Sequence, residues 1–208
     1  MTHIGHSEKV FIMKRLLLIL ILTLSFKALT KADDIRDFEI EGMSIGDTLL
    51  QYYSEDQINI NSESILLGGK EYYEWSQIYK ENNNKIYERV ALIFKTDDKN
   101  YIIKKISGRN FYTNNNIKEC YDTQIIIENE IEKIIPNIKK TDRKKIKNPA
   151  FPDGSSYQTS VYFDFIDNSY IGIACLDYST KDSNSRDRLS VIAVTKEYDN
   201  WQHSNDKK

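Results

Sequence analysis

Lys14 and Arg15 precede an eleven-residue run, Leu16 to Phe26, that is mostly Leu and Ile and is closed by Lys27. A helix that crosses a membrane needs about 20 apolar residues to span roughly 30 Å of hydrocarbon. This run falls short of that. It matches the apolar segment of a secretory signal, about 7–15 residues behind a basic start. Thr30 and Ala32 place small residues at the −3 and −1 positions of a cleavage site after Ala32. Residues 1–32 are therefore expected to be a signal peptide and 33–208 the mature chain, with Met13 an alternative start. No Cys follows the run, which argues against a lipid anchor.

Export constrains what can fold. The expected mature chain keeps 24 basic and 30 acidic residues, a net charge of −6. Global attraction to nucleic acid or anionic lipid is lost. A chain of this length can bury most of its unfolded surface in one core, so 33–208 is read as a single globular domain. Apolar residues are 40% and charged residues 29% of the chain, an ordinary globular mixture.

The expected class is α+β, with an antiparallel sheet carrying one long and one short helix. Asp37 to Glu41 alternates charged and apolar residues, as a half-buried strand does. Ser44 and Asp47 have capping-box spacing and start the short helix, about residues 45–53. Gly68-Gly69 marks a turn, and Glu71 to Tyr79 reads as an aromatic-rich strand. Arg89–Lys95 and Tyr101–Ile106 flank Asp97–Asn100 as a hairpin. Asn116 and Glu119 begin the long helix, about 116–135, whose stripe is Ile117, Cys120, Tyr121, Gln124, Ile127, Ile131, Ile134 and Ile138. Lys118, Glu130 and Lys133 are expected on its wet face, and Pro136 ends it. Tyr157–Ile166, Tyr170–Asp177 and Leu189–Thr195 read as closing strands, the first two joined by Asp167-Asn168-Ser169. Runs of strands without regular βαβ alternation favour an antiparallel sheet.

Catalytic motifs are sparse. His203 is the sole imidazole of the expected mature chain and is read as a solvated tail residue, which argues against a His-based triad or a multi-His zinc site. No P-loop, dinucleotide fingerprint or Gly-x-Ser-x-Gly elbow occurs. Asp164, Asp167 and Asp177 lie on or beside one expected hairpin, where two facing carboxylates would suit glycosidase-like hydrolysis. Strand alternation makes them solvent-side residues instead. Asp182 to Asp187 is a faint calcium loop without the turn Gly or the terminal Glu. Lys139, Lys140, Arg143, Lys144, Lys145 and Lys147 put six cations within nine residues. That run is expected to be a mobile loop, solvated or in contact with a polyanion.

Two cysteines, Cys120 and Cys175, remain after the expected cleavage, and an oxidising compartment permits a bridge. Cys120 falls on the helix stripe and Cys175 alternates with Ile171 and Ile173 on a strand. If the helix covers that strand face the two sulfurs meet; otherwise they are buried free thiols.

The segments Ala32 to Asp47, Asn114 to Cys120 and Cys175 to Ser179 resemble a group of small exported proteins of unknown function from marine alphaproteobacteria. The resemblance covers nearly the whole mature chain, implies no known activity and transfers no catalytic residue. The expectation is a non-catalytic periplasmic or secreted binding or envelope-support protein without a cofactor. Its expected partner is an envelope protein or a glycan, not nucleic acid, and it meets membrane only through the uncleaved signal. The alternative is a hydrolase built on Asp164, Asp167 and Asp177.

Overall fold

The computed structural model describes residues 34–60, 62–64, 71–79, 85–112, 116–148, 151, 154–178 and 186–205. The expected signal peptide, the Gly68-Gly69 turn and residues 182–185 lie outside them. Among the described residues, no helix is long and apolar enough to cross a membrane. The class is α+β: one large antiparallel sheet carries a long helix on one face and a short C-terminal helix on the other.

The described residues begin with a 3-10 turn, Ile35–Asp37, followed by a hairpin with a two-residue loop, β1 (Glu39–Ile40) and β2 (Met43–Ser44). Its loop residues Glu41 and Gly42 both take positive φ, 56° and 81°, which a primed two-residue turn requires. The Glu41 carboxylate accepts hydrogen bonds from the Ile86 and Tyr87 amides, at 2.7 and 3.0 Å, and so ties the hairpin to the main sheet. The expected short helix is reduced to a three-residue 3-10 turn, Leu49–Gln51, started by Thr48. Asp47 does accept from the Ser44 amide, but Ser44 is paired in β2 and its hydroxyl caps nothing. A six-residue helix, α1 (Glu55–Ile60), follows.

Nine strands fill eight positions of the main sheet. In order they are β3 (Ser62–Ser64), β4 (Tyr72–Ile78), β5 (Arg89–Lys95), β6 (Lys105–Tyr112), β11 (Asp187–Val194), β10 (Tyr170–Asp177), β9 (Tyr157–Asp164) and β7 (Lys139–Lys140). β8 (Lys144–Lys147) shares the β9 edge with β7. The basic run is thus a broken edge strand and not a loop. Lysines suit such an edge, because charge discourages a further strand from pairing there.

Residues opposite one another share a face of an antiparallel sheet. One face gathers Val161, Phe163, Ile171, Ile173, Cys175, Leu189, Val191 and Ala193, all buried. α2 (Ile117–Ile134) packs there through Cys120, Gln124, Ile127 and Ile131. Gln124 is fully buried and donates to the main-chain oxygens of Thr159 and Ile173 at 3.1 and 3.0 Å. The helix stops at Ile134, before Pro136. Its start differs in detail, since the Asn116 carboxamide donates to Glu119 instead of accepting from a helix amide. Lys118 and Lys133 face water, whereas Glu130 is half-buried with a side chain 13% exposed. Position 130 borders the stripe three residues beyond Ile127, so its stem lies against the protein.

α2 and β10 are joined by the disulfide Cys120–Cys175, whose Cα atoms are 5.9 Å apart. Both residues are fully buried.

The opposite face is only partly covered. α3 (Lys196–Asn205) packs Tyr198 and Trp201 over Tyr72, Ile93, Val194 and Ile192. Glu197 anchors it to Lys95 at 2.5 Å and Lys104 at 2.8 Å, and these two ammonium groups hold its carboxyl below the ordinary range. His203 therefore sits on a helix and not in a frayed tail. It is exposed, 3.5 Å from Asp199.

Candidate functional site: a cationic groove on the open sheet face

Beyond α3 the open face of β6, β11, β10 and β9 is a groove of about 1240 Å³. Its floor is made of small or flat side chains. Ser190, Ala174 and Ser160 lie in one row across three strands, with Ile192 and Gly172 in the next. Tyr162 and Ile192 fold over Gly172 so closely that a Cβ there would lie 3.0 Å from each. Larger side chains in these rows would fill the groove.

The cations that line it, Lys105, Arg109, Lys139 and Arg188, outnumber its two carboxylates, Asp164 and Asp199, and the other polar groups are neutral. Lys105, Arg109 and Arg188 line it from β6 and β11. Among the described residues none of the three has a carboxylate within 4 Å. Arg109 stands directly opposite Arg89 on β5. Arg89 donates to the Ser76 hydroxyl at 3.0 Å and lies 3.7 Å from Glu74. The Nε atoms of Arg89 and Arg188 are buried without a hydrogen-bond partner. The Arg188 guanidinium faces the Tyr178 ring at 5.5 Å, and Lys105 Nζ lies 5.3 Å from the Tyr198 ring.

These environments destabilise the charges. Burial, then repulsion from Arg109, lowers Lys105 to about 8, against weak support from Glu74 and Asp199. Burial lowers Arg109 as well; Arg188 and Arg89 add to this and Glu74 opposes it. Like charges placed opposite each other on a sheet are unfavourable. An anion in the groove removes that cost, and two adjacent guanidinium groups present the forked donors that carboxylate and phosphate oxygens accept.

The sequence-expected residues fall differently. Asp164 and Asp177 end opposite tips of the β9–β10 hairpin, since Asp164 pairs Tyr170 and Asp177 pairs Tyr157. Seven residues of strand separate them, about 23 Å at roughly 3.3 Å per residue. A retaining or inverting carboxylate pair needs about 5–9.5 Å. Asp164 contacts Lys139 at 3.1 Å and Asp177 contacts Lys145 at 3.4 Å. Asp167 accepts from the Ser169 amide at 2.9 Å within the hairpin turn. The structure does not gather the three acids into one centre. Asp187, at the end of the faint calcium loop, accepts from the Tyr178 amide at 2.8 Å, and burial raises its pKa. No group of three metal-ligating side chains occurs among the described residues.

The basic run is divided by the alternation of its strands. Lys140 and Lys145 point to the α2 face. Lys140 contacts Glu132 at 2.6 Å and Glu128 at 3.2 Å. Arg143 forks onto the buried Glu128 with bonds of 3.0 and 2.8 Å. Lys139 and Lys144 lie opposite Asp164 and Ser160, on the groove face. Lys147 lies against Gly154. Two of the six are thus neutralised by helix acids, Lys139 and Lys145 pair with strand carboxylates, and Lys144 has no ion pair among the described residues.

The groove was not visible in the sequence, because Arg109, Arg188, Ala174 and Gly172 come from three strands related only by register. A weak signal existed: Gly172 and Ala174 alternate with Ile171, Ile173 and Cys175, leaving one strand face without bulk.

The chain matches no family model, no curated protein and no solved structure.

Proposed function

We propose that this chain is an exported, non-catalytic binding protein and that an anion occupies the groove on the open sheet face. The observation that carries the reading is the set Lys105, Arg109 and Arg188, partly buried and unpaired with any described carboxylate. Unpaired charges withdrawn from water are costly, so a fold retains them where a ligand completes them. Export rests on Lys14-Arg15, the apolar run and the Thr30-x-Ala32 site, and a buried disulfide is consistent with an oxidising compartment. The periplasm or the exterior is the proposed location.

Two measurements test this. Mass spectrometry of the protein recovered from its native host should give Asp33 as the first residue; a retained 16–26 segment overturns export. Phosphate, sulfate and glucuronate at millimolar levels should raise the melting temperature more than sodium chloride of equal ionic strength, because a ligand specific to the native state stabilises it. Arg109→Gln and Arg188→Gln should abolish that increment. An equal response to chloride, or no loss in either variant, overturns the anion reading.

A further inference from the structure

The sheet register links the arginines of the groove to the basic edge strand. Reading across the strands, Arg109 stands opposite Ser190, Ser190 opposite Ala174, Ala174 opposite Ser160, and Ser160 opposite Lys144. All five share the open face. The two cations of this row are four strand spacings apart, about 19 Å at roughly 4.8 Å per spacing. Only short side chains lie between them. Arg188 flanks the same row from the next one, opposite Leu176.

Charges at both ends of a flat floor of that length suit an extended ligand with anionic groups at intervals, and a single small anion reaches only one end. The ligand's direction also constrains its chemistry. A peptide in extended form gains affinity by pairing its backbone along a strand edge. Here the path runs across the strands, where backbone groups are already bonded to neighbouring strands. What the floor offers instead is side-chain hydroxyl and amide groups: Ser190, the Gln158–Ser160 pair joined at 2.6 Å, and the Tyr162 phenol. Hydroxyl-rich rings are complementary to such groups.

We propose that the groove and the edge residue Lys144 form one track for an acidic glycan chain, which lies across the sheet with one anionic group on Arg109 and Arg188 and another on Lys144. The inference rests on the anion reading of the groove. It also gives the basic edge a divided role, with Lys140 and Arg143 fastening the edge to Glu128 and Lys144 left to the ligand.

The test is calorimetric titration of the disulfide-intact protein with hexuronate oligomers of one to six sugars. Affinity should climb about tenfold or more between monomer and tetramer, as linked contacts engage together. Lys144→Gln, a change at an exposed position, should weaken the tetramer about threefold to fivefold, the scale of one exposed ion pair, and leave the monomer unchanged. Ala174→Leu, which fills the floor, should also weaken the tetramer, with its circular dichroism melt confirming the fold. Affinity that does not depend on length, Lys144→Gln without effect on the tetramer, or tetraglutamate binding as tightly as the tetramer each overturns the glycan track. In those three cases the anion reading survives if monomer binding still requires Arg109. Absence of binding by every uronate and by phosphate removes both.

Discussion

Replacing both cysteines, Cys120→Ala with Cys175→Ala, removes the covalent link between α2 and β10. The bridge spans a sequence separation of 55. In the chain-entropy model a loop of that size restricts the unfolded ensemble by about 14 cal/mol/K, or about 4 kcal/mol at 25 °C. Both sulfurs are fully buried, so their loss also leaves a small hole beneath the helix. A cost of about 4 kcal/mol lowers the melting temperature by roughly 8–16 °C for a chain of 150–250 residues. Urea denaturation followed by tryptophan fluorescence measures it, because Trp75 is fully buried. The midpoint should fall, and the slope should rise, since an unfolded chain without the link exposes more surface. On the wild type, dithiothreitol should act no faster than global unfolding, because a thiolate has no access to either sulfur in the native state. A double variant within 1 kcal/mol of wild type with an unchanged slope, or rapid reduction of the native protein, would refute this account.

On the same interface, Ile127→Ala and Ile131→Ala should each cost about 2–5 kcal/mol, as truncations of fully buried isoleucines do. Lys133→Ala, 68% exposed, should stay within about 0.5 kcal/mol, and denaturant midpoints in the reverse order contradict the assigned helix face. Gly108→Ala places a Cβ 2.5 Å from the buried Tyr87 ring, so a loss of about 1–3 kcal/mol is expected, and an unchanged melt excludes that close contact. Lys105→Met should stabilise the protein below pH 8. The folded amine, at about 8, lies below its ordinary 10.5, so the native state bears the full cost of the charge when both states are protonated. Between those values the native state has released a proton that the unfolded state keeps, and wild-type stability rises with pH. The advantage of the variant should therefore shrink from pH 8 toward 10.5, and a constant or growing difference refutes the assignment.

What could be read from the chain depended on whether burial left a period in it. α2 repeats apolar residues at steps of three and four, and its extent follows from that, whereas its contact with the Cys175 face was one of two arrangements the pattern allowed. β5, Arg89–Lys95, is a continuous apolar run in the middle of the sheet. α3 carries only Tyr198 and Trp201 as anchors in a polar decapeptide, so its pattern is too thin for a sequence-based assignment. β7 and β8 were hidden for the opposite reason: an edge strand protected by lysines has the composition of a solvated loop. The groove depends on register across three strands, which no local pattern in Arg109, Ala174 or Arg188 expresses.

Among the described residues, Lys105, Arg109 and Arg188 in the groove lack the carboxylates that the cations packed on α2 have, and the difference is not a shortage of acids. The chain has 31 Asp and Glu for 29 Lys and Arg. On the α2 side Lys140, Arg143 and Lys145 each find a carboxylate within 4 Å, and Glu128 is buried to serve two of them. On the open side Arg109 faces Arg89 and is near Arg188, where one glutamate in place of Ser190 would relieve the repulsion. Stability alone favours that exchange, since like charges opposite one another are unfavourable and unsatisfied buried donors cost about 1–3 kcal/mol each. A surface selected only for folding has no use for the arrangement. A surface that must receive negative charge from outside does, because an internal glutamate would compete with the ligand for the same guanidinium groups. The small floor fits the proposed reading, since Gly172, Ala174 and Ser190 leave open the space that a ligand would fill.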